Sequence, residues 1–275
     1  MALPSARTRD GQAGLDAILA DPGGALVASD FDGTLSPIVP DPADARACPG
    51  AAGALSRLGA AVGTVAIITG RPAAEAITLG GLAGVPGLIV LGHYGAERWE
   101  DGQVTAAPVP AGVDQARREL PGLLESAGAP DGTRVEDKRT ALAVHTRRAA
   151  DPQGVLTALK APLSDLAKRT GLVLEPGRLV LELRPAATSK GSALRGLAAE
   201  RGSRSVLFCG DDLGDLSAFA EIGAQRAAGS WHGCAVASAS PEVPEVARAA
   251  DLVVDGPAGV VALLAALADR LELTR

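Results

Sequence analysis

The sequence predicts an α/β protein: a doubly wound parallel-sheet core with an inserted, smaller α/β domain. Three observations carry that expectation. Apolar runs of strand length alternate with helical patterns over both ends of the chain. Runs such as "ALVAS" and "TVAIIT" are apolar almost throughout, as expected of parallel strands covered on both faces. Between the Pro/Gly-rich "TAAPVPAGVD" and "RPAATSKG" the pattern changes to α-β-β-α-β-β.

Taken in order, the strand "ALVAS" (25–29) is followed by the helix candidate "PGAAGALSRLGAA" and the strand "TVAIIT" at 64–69. The helix "RPAAEAITLGG" and the strand "GLIVLG" at 87–92 come next. The insert opens with a helix over 113–126 and continues with short strands around "TRVEDK" and "ALAVHTR". A helix across 152–170 and the strands "LVLEP" and "RLVLELR" close it. The core pattern then resumes with a helix opening at "TSKGSAL" (188–194), "SVLFCG" (205–210) and the helix "DLSAFAEIG". "CAVAS" (234–238), the helix "PEVPEVARAA", "DLVVD" (251–255) and a last helix over 258–271 complete the chain. The expected division is residues 1–108 with 186–275 as the core, and 109–185 as the insert.

The 275 residues suffice for one large domain or two modest ones. With 47% hydrophobic and 21% charged residues, the composition is that of an ordinary folded protein. Aromatics are only 2%, which argues against stacking platforms for single-stranded nucleic acid. A formal charge of −6 argues against nucleic acid or acidic membrane as partner. The charge is uneven, however: residues 113–184 hold 12 Lys/Arg against 10 Asp/Glu, and the remainder holds 14 against 22. A slightly basic insert beside an acidic core suits an anionic substrate, although solvated surface charge produces the same split. Cys48, Cys209 and Cys234 form no metal or disulfide spacing, consistent with a reducing cytoplasm. No signal-peptide core follows Arg7 and Arg9, and Asp269 interrupts the apolar C-terminal run, so no leader or membrane span is expected.

Reactive residue types gather where strands end, the place where doubly wound sheets collect ligands. Four predicted strands run into Asp30 with Asp32, Thr69-Gly70-Arg71, Gly92-His93, and Asp211-Asp212 with Asp215. In an extended chain Asp30 and Asp32 would share one face, about 7 Å apart. Like charges that close are unfavourable unless a cation or proton lies between them. The second acidic cluster adds hard oxygen donors, and Mg²⁺ prefers a few carboxylates with water and phosphate oxygens. Lys190 sits near a helix start, where a cation is favoured only if carboxylates or phosphate lie opposite. Thr69, Gly70 and Gly191 offer a hydroxyl and backbone N–H groups to phosphate. One mechanism uses all of these groups. A carboxylate attacks phosphorus to form an aspartyl-phosphate, and the second acts as acid and then base. Mg²⁺ and Lys190 neutralise charge, so metal and phosphate are the expected occupants of the space beside Asp30 and Asp32. Each motif alone also has a plain reading, as an Asp-Gly turn, an acidic helix cap or a solvated lysine.

Together, "DFDGTL", "IITGR", "SKG" and "GDDLGD", in this order, resemble the four motifs of the haloacid dehalogenase-like (HAD) phosphohydrolases. The insert resembles their larger, C2-type α/β cap. Within that superfamily, "LGHYGAERWEDG", "EDKRTALAVHTRR" and "LVLELRPAATSKGSAL" are similar to the trehalose-6-phosphate phosphatase family. The likeness runs from residue 25 to the C-terminal helix. It implies a Rossmann-like HAD core with a specificity cap, and Mg²⁺-dependent hydrolysis of trehalose 6-phosphate to trehalose and phosphate, the last step of trehalose biosynthesis. It implies that Asp30 is the nucleophile and a metal ligand, and that Asp32 is the acid/base, binding metal through its carbonyl. Asp211 would complete the metal site, supported by Asp212 and Asp215. Thr69, Gly70 and Lys190 would hold the phosphoryl group. Arg71 and His93 would face the sugar from the core; Glu136, Lys138, His145, Arg147 and Glu182 would do so from the cap. Two departures flank Asp215: Gly214 stands where the family usually has Thr, and Leu216 where it usually has an acid.

Other readings stay open. The same core chemistry serves phosphatases and phosphomutases of other phosphosugars, such as sucrose 6-phosphate or mannosyl phosphates. A phosphate-accepting signalling module also pairs an acidic Mg²⁺ cluster with lysine, but is shorter and lacks the second Asp and the insert. The expected partner is a small phosphosugar, with no nucleic acid and no membrane, and a monomeric state is compatible with it.

Overall fold

The structure is a computed structural model describing residues 3–186, 188–240 and 243–273. It divides into two compact units, Met1–Ala106 with Ser189–Arg275, and Ala107–Thr188.

The first unit starts with helix α1 (Arg9–Ala20), capped by the Thr8 hydroxyl accepting the Gly11 N–H. There follow β1 (Ala25–Ser29), α2 (Ala51–Ala61), β2 (Thr64–Ile68), α3 (Ala73–Gly80) and β3 (Leu88–Gly92). A hairpin of β4 (Glu97–Glu100) and β5 (Gln103–Ala106) leads to the second unit. That unit holds α4 (Ala111–Ser126), β6 (Arg134–Asp137), β7 (Leu142–His145), α5 (Pro152–Thr170), β8 (Leu172–Gly177) and β9 (Val180–Pro185). The chain returns through α6 (Lys190–Arg201), β10 (Ser205–Gly210), α7 (Leu216–Ala227), β11 (His232–Ser238), α8 (Pro244–Ala249), β12 (Leu252–Val254) and α9 (Gly256–Glu272).

The large sheet has the order β12-β11-β10-β1-β2-β3-β4-β5. Pairing is parallel from β12 through β3 and antiparallel in the hairpin edge. Strand alternation sends side chains into two cores. Val27, Val65, Ile67, Val90 and Leu207 pack with α1, α2 and α9, while Leu26, Ile68, Leu91 and Phe208 pack with α6 and α7. From β1 the chain proceeds outward to β2 and β3, and later re-enters beside β1 at β10 before moving the other way. The switch point therefore lies between β1 and β10, and it locates the site.

In the second unit the sheet order is β6-β7-β9-β8, all antiparallel. One face packs Leu142, Val144, Leu181 and Leu183 against Val113 and Leu120 of α4 and Leu159, Leu163 and Leu166 of α5. The opposite face carries Glu136, Ala143, Glu182 and Glu175 in one cross-strand row.

The predicted α/β class and parallel sheet are present. Three local features differ from expectation. Helix α1 carries no predicted counterpart. The hairpin β4–β5 has none either, because "ERWE" and "QVTA" are short and mostly polar edge strands. Finally, β7 ends at His145, so the alternation expected to put His145 and Arg147 on one face stops short. Thr146 is buried with its N–H on the Leu179 carbonyl, and Arg147 lies exposed in a turn. The helix expected from Pro241 begins on residues outside those described, as does Ala187 of the "RPAATSKG" segment. No helix among the described residues is long and apolar enough to cross a membrane.

Candidate active site

The centre of the first unit's site is a buried lysine among carboxylates. Asp30 leaves the end of β1 with its N–H on the Cys209 carbonyl of β10, at 2.8 Å. This places its side chain at the switch point. Lys190 is the first residue of α6, whose cap is a reciprocal pair between Ser189 and Ser192. The lysine is 3% exposed, with Nζ 2.9 Å from Asp30 Oδ2, 2.8 Å from Asp215 Oδ1 and 3.6 Å from Asp212 Oδ1. Gly191 lets the first turn of α6 meet α7: a Cβ there would stand 2.3 Å from the Ser217 carbonyl oxygen.

Asp211, Asp212 and Asp215 follow β10 through a short 3₁₀ turn. Asp212 accepts the Asp215 N–H at 3.1 Å. Asp215 Oδ2 accepts the N–H groups of Asp211 and Asp212 at 2.9 and 3.0 Å. Fully buried, Asp215 thus holds both the lysine and the backbone that presents Asp211. The two departures from the family pattern, Gly214 and Leu216, leave this arrangement intact. Asp211 Oδ1 accepts the Thr34 hydroxyl at 2.8 Å. Gly33 (φ +71°) lies so close that a Cβ would be 1.9 Å from Asp211 Oδ2, so this turn excludes any other residue.

The Asp32 carboxylate pairs with a different base from Asp30. The chain turns after β1, and Asp32 receives Arg71 Nε and Nη2 at 2.6 and 2.8 Å, a two-pronged fork. Arg71 also bonds Glu75 and the Pro42 carbonyl. The repulsion expected between the two acids is thus relieved by a separate base for each, Lys190 for Asp30 and Arg71 for Asp32. Arg71, expected to face a sugar, is committed to an acid in this structure.

Thr69 and Gly70 stand at the end of β2. Thr69 is 1% exposed, and its hydroxyl accepts the Arg71 N–H at 3.2 Å. His93 follows β3 and is 7% exposed, with Nδ1 3.1 Å from the Gly70 carbonyl oxygen and Nε2 3.8 Å from Glu97 Oε1. Neither Tyr94 nor Glu97 stands out in the sequence, although the Tyr94 phenol packs on Gly70 and Glu97 accepts the Ala73 N–H at 3.1 Å.

In the second unit, the sheet face opposite the helices pairs its charges. Lys138 Nζ meets Glu182 Oε2 at 2.5 Å, and His145 Nε2 meets Glu136 Oε2 at 2.8 Å. Arg184 Nη2 reaches Glu175 Oε2 at 2.9 Å. Four of the five residues expected to face a sugar from the insert therefore occupy one face; Arg147 does not.

Electrostatically, the first unit's cluster is short of positive charge. Asp30 and Asp211 are both pushed up to about 7, first by burial and then by neighbouring carboxylates, against the pull of Lys190 on Asp30 and of the Thr34 hydroxyl on Asp211. Burial works against the Lys190 ammonium, but Asp215, Asp30 and Asp212 outweigh it and hold the lysine well above its usual range. Asp212 is also opposed by burial, yet Lys190 and the backbone N–H groups of Asp215 and Gly214 bring it below the ordinary value. Burial raises Asp215 as well. The Asp30 and Asp212 carboxylates raise it further, but the Lys190 ammonium and the N–H groups of Asp211 and Asp212 all donate to it, so the charged pair with Lys190 is the state this geometry favours. Oxygens of Asp30, Asp212 and Asp215 lie within 4.8 Å of one another, but the Lys190 ammonium already sits against all three. The under-compensated acids are Asp30 and Asp211, two hard oxygen donors whose chemistry fits a small divalent cation.

A doubly wound core with an inserted α/β unit is the fold that haloacid dehalogenase-like hydrolases of known structure share. A haloacid dehalogenase-like hydrolase from Bacteroides thetaiotaomicron has the same fold, at TM-score 0.62 and 16% identity over 87% of this chain and 98% of that one. A trehalose-6-phosphate phosphatase from Aspergillus fumigatus superposes at TM-score 0.69 and 23% identity, covering 97% of this chain and 99% of the other. At such identities these likenesses speak for the fold alone. The family follows from the sequence: a trehalose-phosphatase family model matches residues 28–258, and the chain belongs to that family. A trehalose-phosphate phosphatase of Mycobacterium marinum is 34% identical over 256 residues, 88% of this chain. This chain spans only 61% of that relative's length.

Proposed function

We propose that the protein is a Mg²⁺-dependent phosphatase that hydrolyses trehalose 6-phosphate to trehalose and phosphate. The observation that supports it most is Asp30, desolvated at the switch point beside Lys190 and within an acidic cluster short of positive charge. Asp30 attacks phosphorus, forming an aspartyl-phosphate as the bond to the sugar oxygen breaks. Asp32 gives the departing oxygen its proton and then takes one from the water that cleaves the aspartyl-phosphate. To do so it exchanges an Arg71 bond, because a carboxyl that carries a proton no longer accepts along both prongs of the fork. Lys190 balances charge on the phosphoryl oxygens, and Thr69 and Gly70 supply the hydroxyl and N–H that orient them. Asp30, Asp211 and the Asp32 carbonyl would hold Mg²⁺, which supplies Lewis-acid neutralisation of the phosphate. Asp212 and Asp215 support that set through Lys190 and the backbone of Asp211.

Sugar specificity is assigned to the helix-free sheet face of residues 107–188, through Glu136, Lys138, His145 and Glu182. These side chains can trade ion-pair bonds for sugar hydroxyls, and a wrong sugar would leave them unpaired. The deciding experiment is phosphate release from trehalose 6-phosphate, sucrose 6-phosphate and mannose phosphates, with Mg²⁺ and with chelator. Turnover that ignores the chelator would contradict the metal reading, and preference for another phosphosugar would reassign the substrate.

A further inference from the structure

We infer that the turn His93-Tyr94-Gly95 is a clamp that positions the phosphate-gripping loop 69–71, with His93 acting through that loop rather than touching the sugar. The inference rests on the phosphatase reading above.

Three consecutive residues of this turn have left-handed φ, +48° at His93, +58° at Tyr94 and +96° at Gly95. A histidine and a tyrosine side by side in that region persist only where surrounding contacts impose it. Here those contacts all converge on one target. The His93 N–H donates to the Arg71 carbonyl at 3.0 Å, and the Tyr94 N–H to the Thr69 carbonyl at 3.0 Å. The residue between them is held by a side chain, His93 Nδ1 lying 3.1 Å from the Gly70 carbonyl oxygen. A carbonyl can only accept, so Nδ1 carries the proton. Three successive carbonyls of the loop are thus drawn to the turn.

Space enforces the same approach. A Cβ on Gly70 would stand 2.8 Å from the Tyr94 hydroxyl, and one on Gly92 would stand 2.4 Å from the Ala73 nitrogen. Both glycines allow a contact that no side chain would. The turn also braces the second phosphate-holding element: a Cβ on Gly95 would lie 3.1 Å from Ala193 Cβ, on the turn of α6 that begins with Lys190. One strained turn therefore fixes both Thr69-Gly70 and the helix start that carries the lysine. His93 itself is buried, with both ring nitrogens facing protein groups. That suits a strut better than a sugar contact.

The test uses His93→Ala and His93→Asn. The Asn amide nitrogen occupies the same position along the side chain as Nδ1, and Asn tolerates left-handed φ, so it restores the clamp and nothing else of the imidazole. Each variant is assayed on trehalose 6-phosphate and on para-nitrophenyl phosphate, and amide hydrogen exchange is followed over residues 69–73. His93→Ala should lower kcat on both substrates by a similar factor, about 10- to 100-fold, with KM changed far less. Exchange of the loop should quicken. His93→Asn should recover most of both losses. A loss confined to the phosphosugar, or an Asn variant as defective as Ala, would overturn the inference. Should His93→Ala not fold, His93→Gln takes its place. Its amide sits one methylene too far out, so an Ala-like loss supports the clamp and full activity refutes it. If the native protein turns over neither substrate, the functional reading fails, while the exchange comparison still decides the clamp.

Discussion

The charges at the ends of β1 and β10 and those on the helix-free face of the second sheet use the same residue types to opposite ends. In the first unit, Lys190 and Asp215 are 3% and 0% exposed, and three acids, Asp30, Asp212 and Asp215, press on one base while Asp211 accepts from the Thr34 hydroxyl. On the second sheet each acid has its own base, and the Glu136–His145 pair is 48% and 38% exposed. The first arrangement stores an unmet need for positive charge; the second pairs its acids one to one, with the Glu136–His145 pair half in water and the Lys138–Glu182 pair largely buried. Buried ions under-compensated in this way act strongly on pKa and stability, whereas a half-exposed pair such as Glu136–His145 contributes little and exchanges partners readily. The proposed division of labour, a cation and chemistry at the first cluster and ligand sorting at the second, rests on that contrast.

The sharpest way to break this contrast is Asp30→Asn. Removing the nucleophile should lower turnover by more than about 10³-fold. It should also raise the melting temperature of metal-free protein, because it removes one of the crowded acids. Substantial steady-state activity in the folded variant would end the nucleophile assignment. Lys190→Met tests the other sign. It leaves buried acids without their base, and such losses cost about 3–5 kcal/mol. Denaturant unfolding of the variant would read this, and a loss under about 1 kcal/mol would mean that the acids relax into water instead.

Proton linkage gives the next effect. Asp30 and Asp211 are raised from 3.8 to about 7, so between those values the folded, metal-free protein binds more protons than the unfolded chain. Their contribution is complete below the unfolded value and lost as pH rises through the folded one. Chelated protein should therefore melt lower at pH 7.5 than at pH 5, by on the order of 5 °C, with Mg²⁺ removing most of the difference. A melting temperature that rises over this interval in chelator would show that these acids are already ionised in the fold.

Much of the first unit is legible in the sequence. Its strands are apolar throughout and reactive residues sit where strands run out or a helix begins, so Asp30, Thr69, Lys190 and Asp211 stand out by pattern and order. The partner of Asp32 does not. A spacing of two points to the space beside Asp30, whereas a fork from Arg71, 39 residues on, leaves no trace in spacing. The turn at His93 is equally hidden: "HYG" carries only one glycine, yet all three residues are left-handed, because tertiary contacts impose it. Arg147 misleads for the opposite reason. Alternation in the sequence continues past His145, whereas the burial of Thr146 against Leu179 ends the strand there.

The smallest effect should come from the second sheet, and it separates ligand sorting from folding. Glu136→Ala removes one partner of a half-exposed pair, so its effect on stability should stay within about 0.5 kcal/mol. Lys138→Ala should cost somewhat more, because Lys138 and Glu182 are 16% and 10% exposed and Glu182 loses its base. Neither change touches the groups proposed to hold phosphate, so hydrolysis of para-nitrophenyl phosphate should stay within about 2-fold of the native rate. For trehalose 6-phosphate, each lost hydroxyl contact should appear in kcat/KM at about 10-fold, the worth of one hydrogen bond to a charged group. Running both substrates on both variants decides it. Equal losses on the two would mean that these residues support the fold, and the sheet face would no longer be where the sugar is recognised.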